Sequence, residues 1–165
     1  MGFFAGNEEH TFLDAPQKFN VGRNPIIAAV ADFNNDGNLD VIANHGNNRF
    51  ISVLLGNGAT EGDQFMPQVR SSATAISAKR ALIINDFNGD GNLDIGFTAI
   101  KDNFFRIMLG VGNGMFNPSV NFDTGAPGPK FAAGIAIGDF NGDGAEDVAL
   151  THRSSGNISV LLRII

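Results

Sequence analysis

Asp32-Phe-Asn-Asn-Asp-Gly-Asn-Leu-Asp40 is a nine-residue stretch with a carboxylate or amide side chain at every odd position and a glycine at the sixth. It returns as Asp86-Phe-Asn-Gly-Asp-Gly-Asn-Leu-Asp94 and as Asp139-Phe-Asn-Gly-Asp-Gly-Ala-Glu-Asp147, at spacings of 54 and 53 residues. A second marker follows each copy: Val53-Leu54-Leu55, Ile107-Met108-Leu109 and Val160-Leu161-Leu162. A third precedes them: Phe12 to Pro16, Phe65-Met66-Pro67 and Phe116-Asn117-Pro118. Three markers in one order, three times, make the chain an internal repeat. A period near ~40–50 residues is that of a propeller blade and exceeds that of the common helical solenoids.

Within each repeat the elements read as strands. Ile26–Ala31, Ala81–Ile84 and Gly134–Ile137 are short apolar runs just before the Asp-rich stretch. Asp40–Ala43, Asp94–Phe97 and Asp147–Leu150 follow it, and then Phe50–Leu55, Phe104–Leu109 and Ile158–Leu162. A more polar fourth strand is expected at Phe12–Asn20, Phe65–Ser72 and Phe116–Asp123. These runs are too short for ordinary helices and are bounded by Gly, Asn and Pro. Continuous apolar runs, rather than alternation, point to sheets covered on both faces, as blades are when stacked. The Ala and Gly content of the first strand suits crowding near a central axis.

The Asp-rich stretch has the chemistry of a calcium loop. Oxygens at positions one, three and five can turn toward a common centre, and Gly37, Gly91 and Gly144 at position six permit the sharp turn. Position seven would offer its backbone carbonyl, and position nine a further carboxylate. The set is Asp32, Asn34, Asp36, Asn38 and Asp40; Asp86, Asn88, Asp90, Asn92 and Asp94; and Asp139, Asn141, Asp143, Ala145 and Asp147. Only oxygen donors are present, which suits Ca²⁺ and not zinc or copper. Three ions per chain are expected. An EF-hand is excluded, because position twelve is Ala43, Phe97 or Leu150 instead of Glu and the flanks are strands. Asp and Asn also cap turns without any metal, but three copies in register argue for more than capping.

D-F-N-x-D-G-x-x-D followed by an apolar strand and V-L-L-G-N-G resembles the FG-GAP/VCBS repeats, found in integrin alpha subunits and many bacterial extracellular proteins. The resemblance covers about residues 12–165. It implies a calcium-binding β-propeller, with the ion held between the first two strands of a blade by the residues just named, and extracellular adhesion or scaffold work. The third loop departs from the pattern at Glu146, where Leu39 and Leu93 stand in the others.

Composition sets the outer bounds. The chain has 165 residues, 43% of them hydrophobic, with mean hydropathy +0.02, so it can bury a core. No apolar run reaches the ~20 residues of a membrane helix, so no membrane insertion is expected. A net charge of −6 argues against nucleic acid as a partner. Cys is 0, which leaves no disulfide or thiolate site. Residues 1–11 match no part of the repeat and read as a leader without signal-peptide or myristoylation features.

No catalytic constellation is recognised, neither G-x-S-x-G nor a P-loop, and the paired carboxylates are accounted for as metal ligands. The polar loops Asn44–Arg49, Lys101–Asn103 and Thr151–Ser155 hold His45 and His152 and would be the sugar-binding surface of a lectin, the rival function. A fragment of a polysaccharide-active enzyme is the more distant one. Asn157-Ile158-Ser159 is a glycosylation sequon that opens a strand.

The fold expected is all-β: a propeller segment of three four-stranded blades, divided near 12–72, 73–123 and 124–165. Counting strands leaves the last blade without its outer strand and Phe12–Asn20 without a blade. Exchange of that N-terminal strand between copies would complete a six-bladed dimeric ring or a head-to-tail filament. The partners expected are therefore the chain itself, and a protein or glycan ligand.

Overall fold

A computed structural model describes residues 17–46, 50–59, 64–72, 79–99, 103–125, 132–153 and 155–164. The expected leader, residues 1–11, lies outside them. The described residues form strands, turns and loops, and among them there is no helix long and apolar enough to cross a membrane.

Three antiparallel sheets follow one another along the chain. The first blade runs β1 (Pro25–Ala31), β2 (Asp40–His45), β3 (Phe50–Leu54) and β4 (Val69–Ser72), paired in that order. The second repeats it with β5 (Lys79–Asn85), β6 (Asp94–Ala99), β7 (Phe104–Met108) and β8 (Val120–Asp123). The third has β9 (Ala132–Gly138), β10 (Asp147–His152) and β11 (Asn157–Leu161), three strands among the described residues. This is the blade order the repeats predict, and the architecture is that of propeller blades. The innermost strands lie in sequence, β1 against β5 and β5 against β9.

The first three strands of each blade fall close to their expected places. The fourth is shorter than expected. Phe65 and Phe116 make only isolated bridges, to Gly56 and Gly110, and regular pairing begins at Val69 and Val120. Pro67 and Pro118 explain the gap, since proline has no N–H to give to a ladder. Of the expected N-terminal outer strand, 12–16 lie outside the described residues, and 17–20 are not strand. Residues 19–23 instead lie against their own first blade. Phe19 meets Phe65 edge-to-face at 5.0 Å, and Ser52 Oγ donates to the Val21 carbonyl at 2.7 Å.

Packing between blades explains the unbroken apolar strands. Every residue of β6, the second strand of the central blade, is buried. On one side Ile95, Phe97 and Met108 join Ile42, Ile51 and Val53 of the first blade. On the other side Phe105 joins Val148 and Leu150 of the third. The second strand of a blade flanked on both sides thus has no face for polar alternation.

Candidate metal loops

Each Asp-rich stretch links the first strand of a blade to the second, and all three fold alike. The position-one carboxylate accepts from the backbone of positions five and six: Asp32 from Asp36 N (3.1 Å) and Gly37 N (2.8 Å). Asp86 does the same with Asp90 N (3.2 Å) and Gly91 N (2.8 Å), and Asp139 with Asp143 N (3.2 Å) and Gly144 N (2.9 Å). The position-three amide donates to the position-five carboxylate, at 2.8 Å from Asn34 to Asp36, 2.9 Å from Asn88 to Asp90 and 2.8 Å from Asn141 to Asp143. Positions one, three and five are therefore brought together on one turn, as the spacing requires.

The turn depends on the glycine at position six, whose φ is 85° in Gly37, 84° in Gly91 and 88° in Gly144. Nothing lies within 4 Å of where a Cβ would stand on any of the three. A Cβ there meets no clash, so the cost of a Gly→Val change is set by backbone strain at positive φ, on the order of 1–3 kcal/mol. Gly37→Val, Gly91→Val and Gly144→Val should each lower the urea midpoint and weaken calcium at the altered loop only. Urea melts and calorimetry of the three variants check this. An unchanged midpoint would contradict the turn geometry.

The position-nine carboxylates have a place that spacing alone did not reveal. Asp40, Asp94 and Asp147 are fully buried. Asp40 accepts from Phe33 N and Gly56 N, both at 2.8 Å. Asp94 accepts from Phe87 N (2.9 Å) and Gly110 N (2.7 Å), and Asp147 from Phe140 N (3.0 Å) and Arg163 N (2.8 Å). Each one clamps the loop to the segment just after the third strand of its blade.

The position-seven side chains also have a use. Asn38 Oδ1 lies against the turn at Gly58, and Asn92 Oδ1 against that at Gly112, where a Cβ would stand 2.7 and 2.5 Å away. Asn92 Oδ1 also accepts from Asn35 Nδ2 at 3.1 Å, joining the first loop to the second. In the third loop the position is the buried Ala145. Glu146 is exposed, while the corresponding Leu93 packs into the core between the first two blades.

The electrostatics of the loops are those of crowded carboxylates. Burial pushes the Asp40 and Asp94 carboxyls up, the facing backbone N–H groups partly oppose this, and the charges of Asp36 and Asp32, or of Asp90 and Asp86, push them further. Asp36 and Asp90 are lowered, first by the backbone N–H of Asn38 and Asn92 and then by the amides of Asn34 and Asn88. Asp139 is lowered mainly by the Gly144 N–H. Among the described residues no three His, Asp or Glu side chains converge as a formed metal cage. The donor set, hard oxygens with like charges pressed on a desolvated carboxylate, nevertheless fits a divalent cation of the calcium type.

The two loop histidines are turned inward. His45 is buried, with Nδ1 2.9 Å from the Arg23 carbonyl and Nε2 2.9 Å from Ser52 Oγ. His152 is buried with Nε2 2.8 Å from Ser159 Oγ. Neither is presented to a sugar. Residues 47–49, 100–102 and 154 of those loops lie outside the described residues. Asn157 opens β11 and is exposed.

Comparison with known proteins agrees with this arrangement. The FG-GAP-like repeat matches residues 32–97 and again 86–150, each match running from the first aspartate of one loop into the strand that follows the next loop. The chain belongs to the FG-GAP-like repeat family. Its repeats are of the β-propeller type used in interaction modules. The chain is also 28% identical over 135 residues to cartilage acidic protein 1 of Xenopus tropicalis, covering 77% of this chain and 20% of that protein. It thus spans about a fifth of that relative's length.

Proposed function

We propose that this FG-GAP-like chain is a non-enzymatic, extracellular interaction module, of adhesive or scaffold type, that binds three Ca²⁺ ions and assembles with copies of itself. The observation that carries the calcium reading is the threefold recurrence of one loop geometry, with the carboxylates of positions one and five held on a single turn. Asp32, Asn34, Asp36 and Asp40, with their counterparts in the other two loops, would hold the ions. Bound calcium would neutralise the crowded carboxylates, so each loop could keep its shape without self-repulsion. The family, and the word cartilage in a relative's name, support an extracellular setting. Calcium there can fill sites in the ~10⁻⁴–10⁻³ M class of extracellular modules.

Titration calorimetry of the whole chain should give three calcium ions. Asp36→Ala, Asp90→Ala and Asp143→Ala should each lower that number by one. A flat titration of the unaltered chain would overturn the proposal.

A further inference from the structure

We propose that the hydrogen bond between Asn35 and Asn92 couples the first two loops, so that calcium at either one strengthens calcium at the other, while the third loop binds independently. This rests on the calcium reading above and deepens it. The bond joins positions that flank the proposed ligands. Asn35 is position four of the first loop and stands between Asn34 and Asp36, whose side chains are bonded to each other at 2.8 Å. Asn92 is position seven of the second loop, and its backbone N–H donates to Asp90 at 2.8 Å. Asn35 Nδ2 donates to Asn92 Oδ1 at 3.1 Å. A continuous path of covalent and hydrogen bonds therefore runs from Asp36 to Asp90.

Two further contacts hold that path in place. Gly114 N donates to the Phe33 carbonyl at 3.1 Å, which ties the first loop to the turn after β7. The same turn passes over the amide pair at Gly112, where a Cβ would stand 2.5 Å from Asn92 Oδ1 and 3.7 Å from Asn35 Nδ2. The backbone also shows that the Asn35 side chain has a use. Position four is left-handed in all three loops, with φ of 59° in Asn35 and 77° in both Gly89 and Gly142. Two loops fill it with glycine, which enters that region freely, but the first keeps a side chain there at a cost in strain. The partner of that side chain is Asn92.

The junction between the second and third loops lacks both halves of the link. Position four of the second loop is Gly89, and position seven of the third is Ala145. The Arg163 guanidinium stands beside Gly89 instead, with Nη2 3.6 Å from where a Cβ would be. Among the described residues no hydrogen bond joins these two loops. A loop ordered by its ion holds its half of the Asn35–Asn92 bond still, so the other loop gives up less freedom on binding. Coupling between two binding sites is reciprocal. Its expected size is about fivefold in affinity, the change that one ordinary hydrogen bond makes in a binding constant.

The test is a calcium titration of the whole chain followed by nuclear magnetic resonance, in which the Gly37, Gly91 and Gly144 amides report the three loops separately. Asp36→Ala should empty the first loop, weaken calcium about fivefold at the second and leave the third unchanged. Asp90→Ala should weaken the first loop by the same factor. Asn35→Gly gives the first loop the sequence of the second, a loop that folds. In that background Asp36→Ala should leave the affinity of the second loop unchanged. Asn92→Ala, which keeps the position-seven carbonyl as Ala145 does, serves as a second variant from the other side of the bond. Three amides that do not move with calcium would overturn the calcium reading and the coupling with it. Calcium at all three loops, with the second indifferent to Asp36→Ala, would leave that reading standing and overturn the coupling. Equal weakening at the second and third loops, or a weakening that survives Asn35→Gly, would overturn the role of Asn35.

Discussion

Removing calcium with EDTA should lower the melting temperature of this chain by tens of degrees. An ion that binds only the folded state stabilises it by RT ln(1 + [L]/Kd), about 2.7 kcal/mol per site at a hundredfold excess over Kd. Three such sites together contribute about 8 kcal/mol, comparable with the ~5–15 kcal/mol that separates most folded domains from their unfolded chains. At ~2–4 °C per kcal/mol for a domain of this size, the expected drop is on the order of 16–32 °C. The physical source is the crowding at each loop, where a buried carboxylate such as Asp94 is pushed up by its own desolvation and by the charges of Asp90 and Asp86. Differential scanning calorimetry with calcium and with EDTA reads the shift. Identical melts would be incompatible with three ions held by the fold.

Asp94→Ala should be the most damaging single loop substitution, and its effect should persist in EDTA. The side chain is fully buried in the central blade and accepts from Phe87 N and Gly110 N. Truncation leaves two backbone donors without a partner, at about 1–3 kcal/mol each. A loss of roughly 2–6 kcal/mol follows before any calcium is counted. Asp90→Ala is the contrasting change. Asp90 is exposed and accepts from Asn92 N and the Asn88 amide, so its removal should cost calcium at one loop but little stability in EDTA. Urea melts of both variants in EDTA separate the clamp from the ligand. Equal losses would contradict the assignment.

The blades were legible in the sequence because they rest on local signals. Apolar runs between turn residues placed the first three strands of each blade, and the glycine of each loop announced its positive φ. The roles of positions seven and nine were not legible, because they depend on partners far along the chain. Asp40 closes on Gly56, sixteen residues on, and Asn35 reaches Asn92 in the next blade. No nine-residue pattern contains such partners. The histidines misled in a similar way. His45 and His152 sit beside polar loops in the sequence, but each turns inward onto a serine of the neighbouring strand. The late start of the fourth strand was written locally, in Pro67 and Pro118, which lack the N–H that a ladder needs.

Native mass spectrometry of the whole chain in calcium tests the central claim most directly. The account predicts three calcium ions per 17.4 kDa chain, stripped together by EDTA, and two in each of Asp36→Ala, Asp90→Ala and Asp143→Ala. A spectrum with no calcium on the unaltered chain, or a count that the three substitutions leave unchanged, would contradict it.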